Sequence, residues 1–310
     1  MNPLKKKDHF LFLAILAFIF VSSTALSLSK SFDVSTLLKS VVKGEEKTFP
    51  PLPVLSGKNQ YPILSAQGVM AVDLDSGINL YEKNADFPLL PASTTKIITA
   101  LVSLDTYKLD QILTVGMETK VVGQKMGLYY GEQMKVEDLL YGLLVYSAND
   151  AAEVLATNYS GGYDAFIVAM NAKAGELSMI NSKFDNPVGL DTFAQRSTAK
   201  DLVRASEVAM RNPEFAKIVG TKQTIIHDVS GKSSYNLRNI NELLGVVPGV
   251  MGVKTGWTEN ARENLVTYIE RDGHKIMIAV LGSQDRFGET KELIDWIFTS
   301  YSWQEIKLPN

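Results

Sequence analysis

Two parts of the chain, one toward each end, have the hydrophobic pattern of β-hairpins. Residues 68–75 and 78–82 flank a Ser-Gly pair, and residues 264–270 and 275–281 flank an Asp-Gly pair. Short runs of strand-forming residues on either side of a glycine-containing turn are typical of hairpins. The sequence therefore predicts strands at both ends of the folded part.

The residues between these hairpins carry apolar side chains at helical spacing. Five helices are predicted there, and a sixth follows the second hairpin. The predicted helical ranges are 94–104, 136–146, 150–158, 163–177, 198–210 and 289–301. Strands at both ends with helices in the middle favour one α+β domain. In it, an antiparallel sheet joins the start of the domain to its end, and the helices form an inserted subdomain.

A basic and then apolar segment begins the chain. Lysines at positions 5–7 precede an unbroken apolar run over residues 10–21, and residues 23–25 are small. This is the form of a cleavable secretory signal. If the apolar segment is taken through residue 28, its length approaches the ~20 residues that cross a bilayer, so a retained anchor is equally admissible. In both cases the lysines stay inside and the chain after Lys30 lies outside.

We divide the chain into four parts. Residues 1–29 are the signal peptide or anchor, and residues 30–64 are a linker because they are polar, charged and rich in proline. The folded domain is predicted over residues 65–303, and a tail over residues 304–310.

The composition removes several kinds of chemistry. The 310-residue chain has a net charge of −3, which gives no reason to expect nucleic acid as a partner. It contains no cysteine, which excludes disulfides, thiolate catalysis and Cys-ligated zinc. The histidines are His9, His227 and His274; we interpret His227 as an ordinary strand residue and His274 as a solvated hairpin residue. We predict no metal site and no cofactor.

Ser93 and Lys96 lie three residues apart at the start of the first predicted helix. One helical turn places the two side chains on the same face. A serine hydroxyl becomes a good nucleophile when a neighbouring base takes its proton, and a partly desolvated lysine can be that base. Alone, this spacing is common by chance.

Two further motifs follow on separate predicted elements. Ser147-Ala-Asn149 offers a second hydroxyl for proton transfer and an amide that can hold a substrate backbone. Lys254-Thr255-Gly256 lies in a predicted strand, where a cation and a hydroxyl can meet a substrate carboxylate and the glycine leaves room along the strand. Each motif alone is more often ordinary surface or strand, but the three together in this order are specific.

This series of motifs resembles that of penicillin-binding proteins and class A β-lactamases. Over residues 66–298 the chain is similar to the low-molecular-mass D-Ala-D-Ala carboxypeptidases, the S11 serine peptidase family. Beyond the three motifs, the similarity extends to residues 91–99, 138–152, 184–190 and 254–258. The Ser-Ala-Asn motif fits this family better than the Ser-Asp-Asn usual in class A β-lactamases.

The resemblance implies a β-lactamase/DD-peptidase-like fold and a serine carboxypeptidase that removes the terminal D-Ala from peptidoglycan stem pentapeptides through an acyl-enzyme. It makes Ser93 the nucleophile and Lys96 the general base, and it includes Asn149 in the catalytic group. Ser147 and Lys254 would pass a proton to the leaving amine.

The resemblance also implies the binding groups. The oxyanion would lie between the N–H of Ser93 and a donor from the strand near Trp257. Lys254, Thr255 and Arg286 are candidates for binding the terminal carboxylate of the substrate. Gly256 would leave room for the substrate along the edge of the strand. Arg286 as a plain surface arginine is a serious alternative. The expected partners are stem peptides, β-lactams as covalent inhibitors, and the membrane through the N-terminal segment, in an extracytoplasmic location.

Three other functions stay open. A peptidoglycan DD-endopeptidase attacks the same D-Ala carbonyl. A class A-like β-lactamase would need a Glu-x-x-Leu-Asn element after the second motif, and the sequence has none before Lys254. A wall-binding protein that no longer turns over is disfavoured because all three motifs are intact.

Two features depart from the family pattern. Arg262 stands where members commonly have glycine, and we expect it to alter the mouth of the site. The chain stops soon after Trp303, so we expect it to lack the second β-rich domain and the amphipathic C-terminal anchor of many members. We therefore favour retention of the N-terminal segment as the membrane attachment.

The two interpretations of this segment predict different mature proteins. If residues 10–28 are a retained anchor, the exported protein keeps its full mass and stays with membranes in high salt, because salt screens charges but does not extract a spanning helix. If the chain is cut after Ala25, the mature protein starts at Leu26. N-terminal sequencing distinguishes them, and a start at Leu26 would contradict the anchor.

Overall fold

The structure is a computed structural model that describes residues 50–57, 59–117 and 121–306. The predicted signal peptide or anchor and most of the predicted linker lie outside these residues. Within the described ranges, no helix is both long enough and apolar enough to cross a membrane.

Within the described residues, the strands are β1 (Leu52–Leu55), β2 (Gly68–Asp73), β3 (Asn79–Lys83), β4 (Ile112–Thr114), β5 (Gln133–Lys135), β6 (Gln223–His227), β7 (Ser234–Arg238), β8 (Val250–Thr258), β9 (Arg262–Arg271), β10 (His274–Ser283) and β11 (Tyr301–Gln304). The helices are α1 (Lys96–Thr106), α2 (Val136–Leu144), α3 (Asn149–Thr157), α4 (Gly162–Glu176), α5 (Ala199–Met210), α6 (Pro213–Val219) and α7 (Arg286–Ser300). A 3₁₀ helix, Ala92–Thr95, leads directly into α1.

The central element is an antiparallel sheet with the strand order β3-β2-β10-β9-β8. It contains both predicted hairpins, β2–β3 and β9–β10, and β2 pairs with β10, so that Ala71 lies opposite Ile278. The prediction of one α+β fold, in which an antiparallel sheet joins the two ends of the domain, is confirmed.

Strand β10 separates two apolar cores. Because successive side chains of a strand point to opposite faces, its residues divide alternately between the cores. Ile276, Ile278 and Val280 pack with residues of α7, whereas Met277, Ala279 and Leu281 join the large core of the helical subdomain. Each fully buried side chain of the Val, Leu, Ile or Met type contributes roughly 1.5–3 kcal/mol, so burial on both faces fixes the strand between the two layers.

Local capping explains where several helices begin. The side chain of Thr198 accepts a hydrogen bond from the N–H of Asp201 at the start of α5, and Asp285 accepts from Gly288 at the start of α7. Asn212 caps α6, which has proline at its first position. These are the residue types that satisfy the free N–H groups of a first turn. The predicted helices are present with shifts of a few residues at their ends, and α6 was not predicted.

The small sheet β1–β11 also was not predicted. Leu52 pairs with Gln304 and Leu55 pairs with Tyr301, so residues from the predicted linker and the first residue of the predicted tail take part in a β-ladder. Each strand has only four residues, too few for alternation to be distinctive. The proline-rich composition that suggested a spacer suits a short two-stranded ribbon equally well.

Arg262 begins β9 with a φ of +58°. This left-handed conformation costs an ordinary residue roughly 1–2 kcal/mol relative to the right-handed one. Glycine adopts this conformation without that cost, so the turn between β8 and β9 accounts for the glycine expected at this position.

Candidate active site

The three sequence motifs meet at one cleft of about 710 Å³ between β8 and the helical subdomain. The 3₁₀ helix presents Ser93, the turn before α3 presents Ser147, and Asn149 begins α3. The cleft is lined by six of the predicted site residues: Ser93, Ser147, Asn149, Thr255, Gly256 and Arg286. The other two, Lys96 and Lys254, are buried and bonded to lining residues. The structure therefore brings all of the predicted site residues together.

The amine of Lys96 is completely buried and has three acceptors. Its Nζ lies 2.9 Å from Ser93 Oγ, 2.7 Å from Asn149 Oδ1 and 2.7 Å from the carbonyl oxygen of Val188. Burial lowers the pKa of Lys96 to about 7, against an opposing effect of the carboxylates of Glu153 and Asp150. Near neutral pH this lysine can therefore exist as a neutral amine.

The amine of Lys254 belongs to a second buried pair. Its Nζ donates to Ser147 Oγ at 2.8 Å and to the carbonyl oxygen of Thr255 at 2.9 Å. Burial lowers the pKa of Lys254 well below its usual value, and the positive charges of Lys96 and Arg286 lower it further. The two lysines disfavour each other's charged forms, so their protonation states are coupled.

Residues 184–190 supply the third acceptor for Lys96. The side chain of Asn186 closes this turn by accepting from the N–H groups of Gly189 and Leu190, and Thr99 donates to the carbonyl oxygen of Pro187 at 2.6 Å. These bonds hold the carbonyl oxygen of Val188 within hydrogen-bond distance of Lys96 Nζ. The sequence showed this segment only as part of the family pattern, and nothing in it indicated that a backbone carbonyl would bind the lysine.

Asp150 supports the orientation of the Asn149 amide. Its carboxylate accepts hydrogen bonds from three consecutive N–H groups, residues 126–128. The same loop presents the carbonyl oxygen of Val122, which accepts from Asn149 Nδ2 at 2.6 Å. Since Nδ2 is held by a carbonyl, Oδ1 must face Lys96. Sequence reasoning missed this contribution, although Asp150 directly follows the second motif.

Two glycines allow backbone segments to approach Ser93 closely. A Cβ on Gly256 would lie 2.9 Å from the nitrogen of Ser93, and a Cβ on Gly189 would lie 1.9 Å from the carbonyl oxygen of Ala92. Gly256 was predicted to leave room for a substrate, and the structure shows that it also leaves room for the serine's own backbone. Ala92 and Ser147 have positive φ values of 47° and 64°, and such strained residues concentrate at functional sites.

One end of the cleft offers donors without partners. Thr255 Oγ1 and Arg286 Nε are buried, and neither has a hydrogen-bond partner among the described residues. Arg286 Nη1 donates to the carbonyl oxygen of Gly256 at 3.2 Å. Burial lowers the pKa of Arg286, but an arginine keeps its charge at working pH. This end of the cleft therefore fits an anionic group, and Arg286 lies in the cleft wall.

Other side chains considered from the sequence lie elsewhere. His227 ends β6, and His274 stacks on Trp303 with ring centroids 4.0 Å apart. Arg262 is exposed and is not a lining residue, although Thr258 and Glu259 of the same turn are. Across the described residues there is no group of three or more His, Asp or Glu side chains placed to hold a metal ion.

Comparisons with known proteins agree with this geometry. A family model described as D-alanyl-D-alanine carboxypeptidase, peptidase S11, matches residues 56–285. The D-alanyl-D-alanine carboxypeptidase DacF of Bacillus subtilis is 31% identical over 245 residues, which cover 76% of this chain and 63% of that protein. A D-alanyl-D-alanine endopeptidase of Pseudomonas aeruginosa is 31% identical over 243 residues, covering 76% of this chain and 78% of that protein.

Among solved structures, the crystal structure of the Streptomyces K15 DD-transpeptidase superposes with a TM-score of 0.74. The two sequences are 32% identical, and the match covers 78% of this chain and 100% of that one. The expected DD-peptidase-like fold is confirmed.

The close contact at Gly189 predicts a large effect of a single methyl group. We expect Gly189→Ala to lower the free energy of unfolding more than Gly131→Ala. Both glycines have positive φ values, +89° and +81°, but nothing lies within 4 Å of a Cβ at Gly131. The control carries only backbone strain, and the extra loss at Gly189 should be about 1–3 kcal/mol, the usual cost of overpacking. Urea denaturation measures both; equal losses would show that the segment around Ala92 yields without cost.

Proposed function

The chain belongs to the S11 family of D-alanyl-D-alanine carboxypeptidases, and on this basis we propose that it removes the terminal D-Ala from peptidoglycan stem peptides. The observation that carries the proposal is the 2.9 Å contact between Ser93 Oγ and the buried amine of Lys96. This pair lies beside a cleft end with unpartnered donors for a carboxylate. Together they supply a nucleophile, its base and a site for the C-terminus of a peptide.

The surroundings of Lys96 support its role as general base. A neutral amine has two N–H groups and one lone pair. The Asn149 amide oxygen and the Val188 carbonyl oxygen can only accept, so they take the two N–H groups. The lone pair is then left for Ser93, whose hydroxyl can donate. The neutral form of Lys96 thus prepares the serine for attack.

Acylation would then proceed as follows. Ser93 Oγ attacks the carbonyl carbon of the penultimate D-Ala while Lys96 accepts the hydroxyl proton. The peptide C–N bond breaks, and the leaving amine takes a proton from the hydroxyl of Ser147, which Lys254 resupplies through the 2.8 Å contact. The terminal D-Ala departs, and water later hydrolyses the ester at Ser93.

Binding groups surround the reacting carbonyl. The N–H of Ser93 lies beside Gly256 of β8, so this N–H and a donor near Trp257 would hold the oxyanion. Thr255 and Arg286 would hold the terminal carboxylate. A β-lactam carries a carboxylate and a reactive carbonyl in a similar arrangement, which supports covalent inhibition at Ser93.

The protein would act outside the cytoplasmic membrane. This follows from the basic and apolar pattern of residues 5–28 and from the location of peptidoglycan. We propose the N-terminal segment as the export signal or membrane attachment.

A second candidate is a DD-endopeptidase, which the similarity to the Pseudomonas aeruginosa protein of that name favours. Both reactions form the same acyl-enzyme and differ in the amine that leaves. The products from a defined pentapeptide and from a cross-linked dimer separate the two. Release of D-Ala from the pentapeptide supports the carboxypeptidase, and cleavage of the dimer alone would assign the endopeptidase.

Ser93→Ala should abolish both reactions and the covalent labelling by penicillin, because it removes the attacking hydroxyl. Labelling that persists would exclude Ser93 as the nucleophile.

The lowered pKa of Lys96 predicts a pH dependence. Acylation needs a neutral Lys96 and a proton on Lys254, so the rate of labelling by a fluorescent penicillin should rise with pH through about 7 and fall at the higher pH where Lys254 loses its proton. Lys96→Arg should lose labelling at every pH, because a guanidinium keeps its proton. Lys217→Arg, the same change at an exposed lysine, should keep the wild-type profile. A pH-independent rate, or labelling that survives in Lys96→Arg, would rule out Lys96 as the base.

A further inference from the structure

The end of β8 and the turn after it change in character along the cleft. Residues 255–259 all line the cleft, and the last of them, Glu259, directly follows β8. Thr255 is buried with a free hydroxyl, whereas Trp257 is 61% exposed and Glu259 is exposed. The cleft therefore runs from a donor for an anion, past an aromatic ring, to a carboxylate.

The geometry fixes the direction in which a substrate would lie. Strand β8 is at the edge of the sheet, so an extended peptide can add to its outer side. With its terminal carboxylate at Thr255 and its scissile carbonyl at Ser93 beside Gly256, the rest of the peptide must run toward Trp257 and Glu259. It then lies antiparallel to β8. At about 3.3 Å per residue, the residue before the terminal dipeptide comes next to these two side chains.

The charges at the two ends of the cleft are opposite. Lys254 and Arg286 lie at the carboxylate end. At the other end Glu259 has no ion-pair or hydrogen-bond partner within the part of the chain that the structure describes, since none of the bonds or ion pairs found there involves its side chain. Asp191, which accepts from Thr258 at 2.8 Å and from Asn260 at 3.2 Å, adds a second negative charge at this turn. The cation of the turn, Arg262, pairs with Thr258 across the strands but is exposed and does not line the cleft.

We propose that Trp257 and Glu259 form a subsite for a cationic amino side chain on the residue that precedes the terminal D-Ala-D-Ala. The ammonium would lie near the carboxylate of Glu259, and its aliphatic stem along the ring of Trp257, where a cation is also attracted to the ring face. Neither side chain takes part in bond breaking, so the subsite selects among substrates. This inference rests on the proposed carboxypeptidase reaction.

Two peptides that differ only in one amine test it. Nα-acetyl-L-Lys-D-Ala-D-Ala has a free side-chain ammonium, and its Nε-acetylated form has none. We expect kcat/KM for D-Ala release to be roughly three- to tenfold higher for the free amine, as for a partly exposed ion pair beside an aromatic ring. Because salt screens exposed charges, the ratio should fall as ionic strength rises.

Substitutions at the two side chains test which of them causes the difference in kcat/KM between the peptides. Glu259→Gln should bring the ratio of the two kcat/KM values close to one, and Glu259→Lys should bring it below one. Trp257→Ala should lower the ratio in part. Glu242→Gln is the matched control, because this exposed carboxylate acts on Arg286 at the opposite end and should change both peptides alike.

The possible results distinguish a failure of the subsite proposal from a failure of the proposed carboxypeptidase reaction. Hydrolysis of the diacetylated peptide tests the carboxypeptidase activity alone, since that peptide has no side-chain amine. A ratio near one in the wild-type protein, or an unchanged ratio in Glu259→Gln, would overturn the subsite and leave the activity standing. Release of D-Ala from neither peptide would overturn both proposals.

Discussion

The buried amine of Lys96 is the constraint on which the site depends. Burying an amine away from water costs free energy unless its N–H groups and lone pair form hydrogen bonds. Here the partners come from Ser93, Asn149 and Val188, which lie on the 3₁₀ helix, at the start of α3 and in the turn of residues 184–190. Ser93 lies one helical turn from Lys96, but the other two partners are 53 and 92 residues away. The packing of the helical subdomain must therefore bring two distant parts of the sequence within about 3 Å of one nitrogen, as hydrogen bonding requires.

The supporting contacts follow from this requirement. Gly189 and Gly256 allow the turn and β8 to approach the backbone at residues 92 and 93 closely. Asp150 fixes the loop that orients the Asn149 amide. Positive φ values at Ala92 and Ser147 carry backbone strain that these contacts must offset. Several segments together therefore determine the position of the Ser93 hydroxyl, and a methyl group added to one of them can shift it.

The sequence predicted the parts of this arrangement that are local. The glycine turns and apolar alternation located the β2–β3 and β9–β10 hairpins, helical periodicity located six helices, and the motifs located every predicted side chain now found in or beneath the cleft. Val188 could not be found in this way because its carbonyl oxygen, common to every residue type, makes the contact. The β1–β11 ribbon was missed because two four-residue strands at opposite ends of the domain carry no local sign of their partner.

The two lysines also explain how substrate binding can prepare the reaction. In the proposed reaction, the terminal carboxylate lies beside Thr255 and Arg286, close to Lys254. A nearby negative charge favours the charged form of a lysine, and a charged lysine disfavours charge on a neighbouring one. Since a charge on Lys96 already lowers the pKa of Lys254, and such coupling acts in both directions, the bound carboxylate would favour a protonated Lys254 and a neutral Lys96. That distribution places a proton where the leaving amine needs it and a free lone pair where Ser93 needs it. In the proposed reaction the substrate's C-terminus would therefore act in catalysis as well as in recognition, which would give a physical reason for a requirement for a free terminal carboxylate.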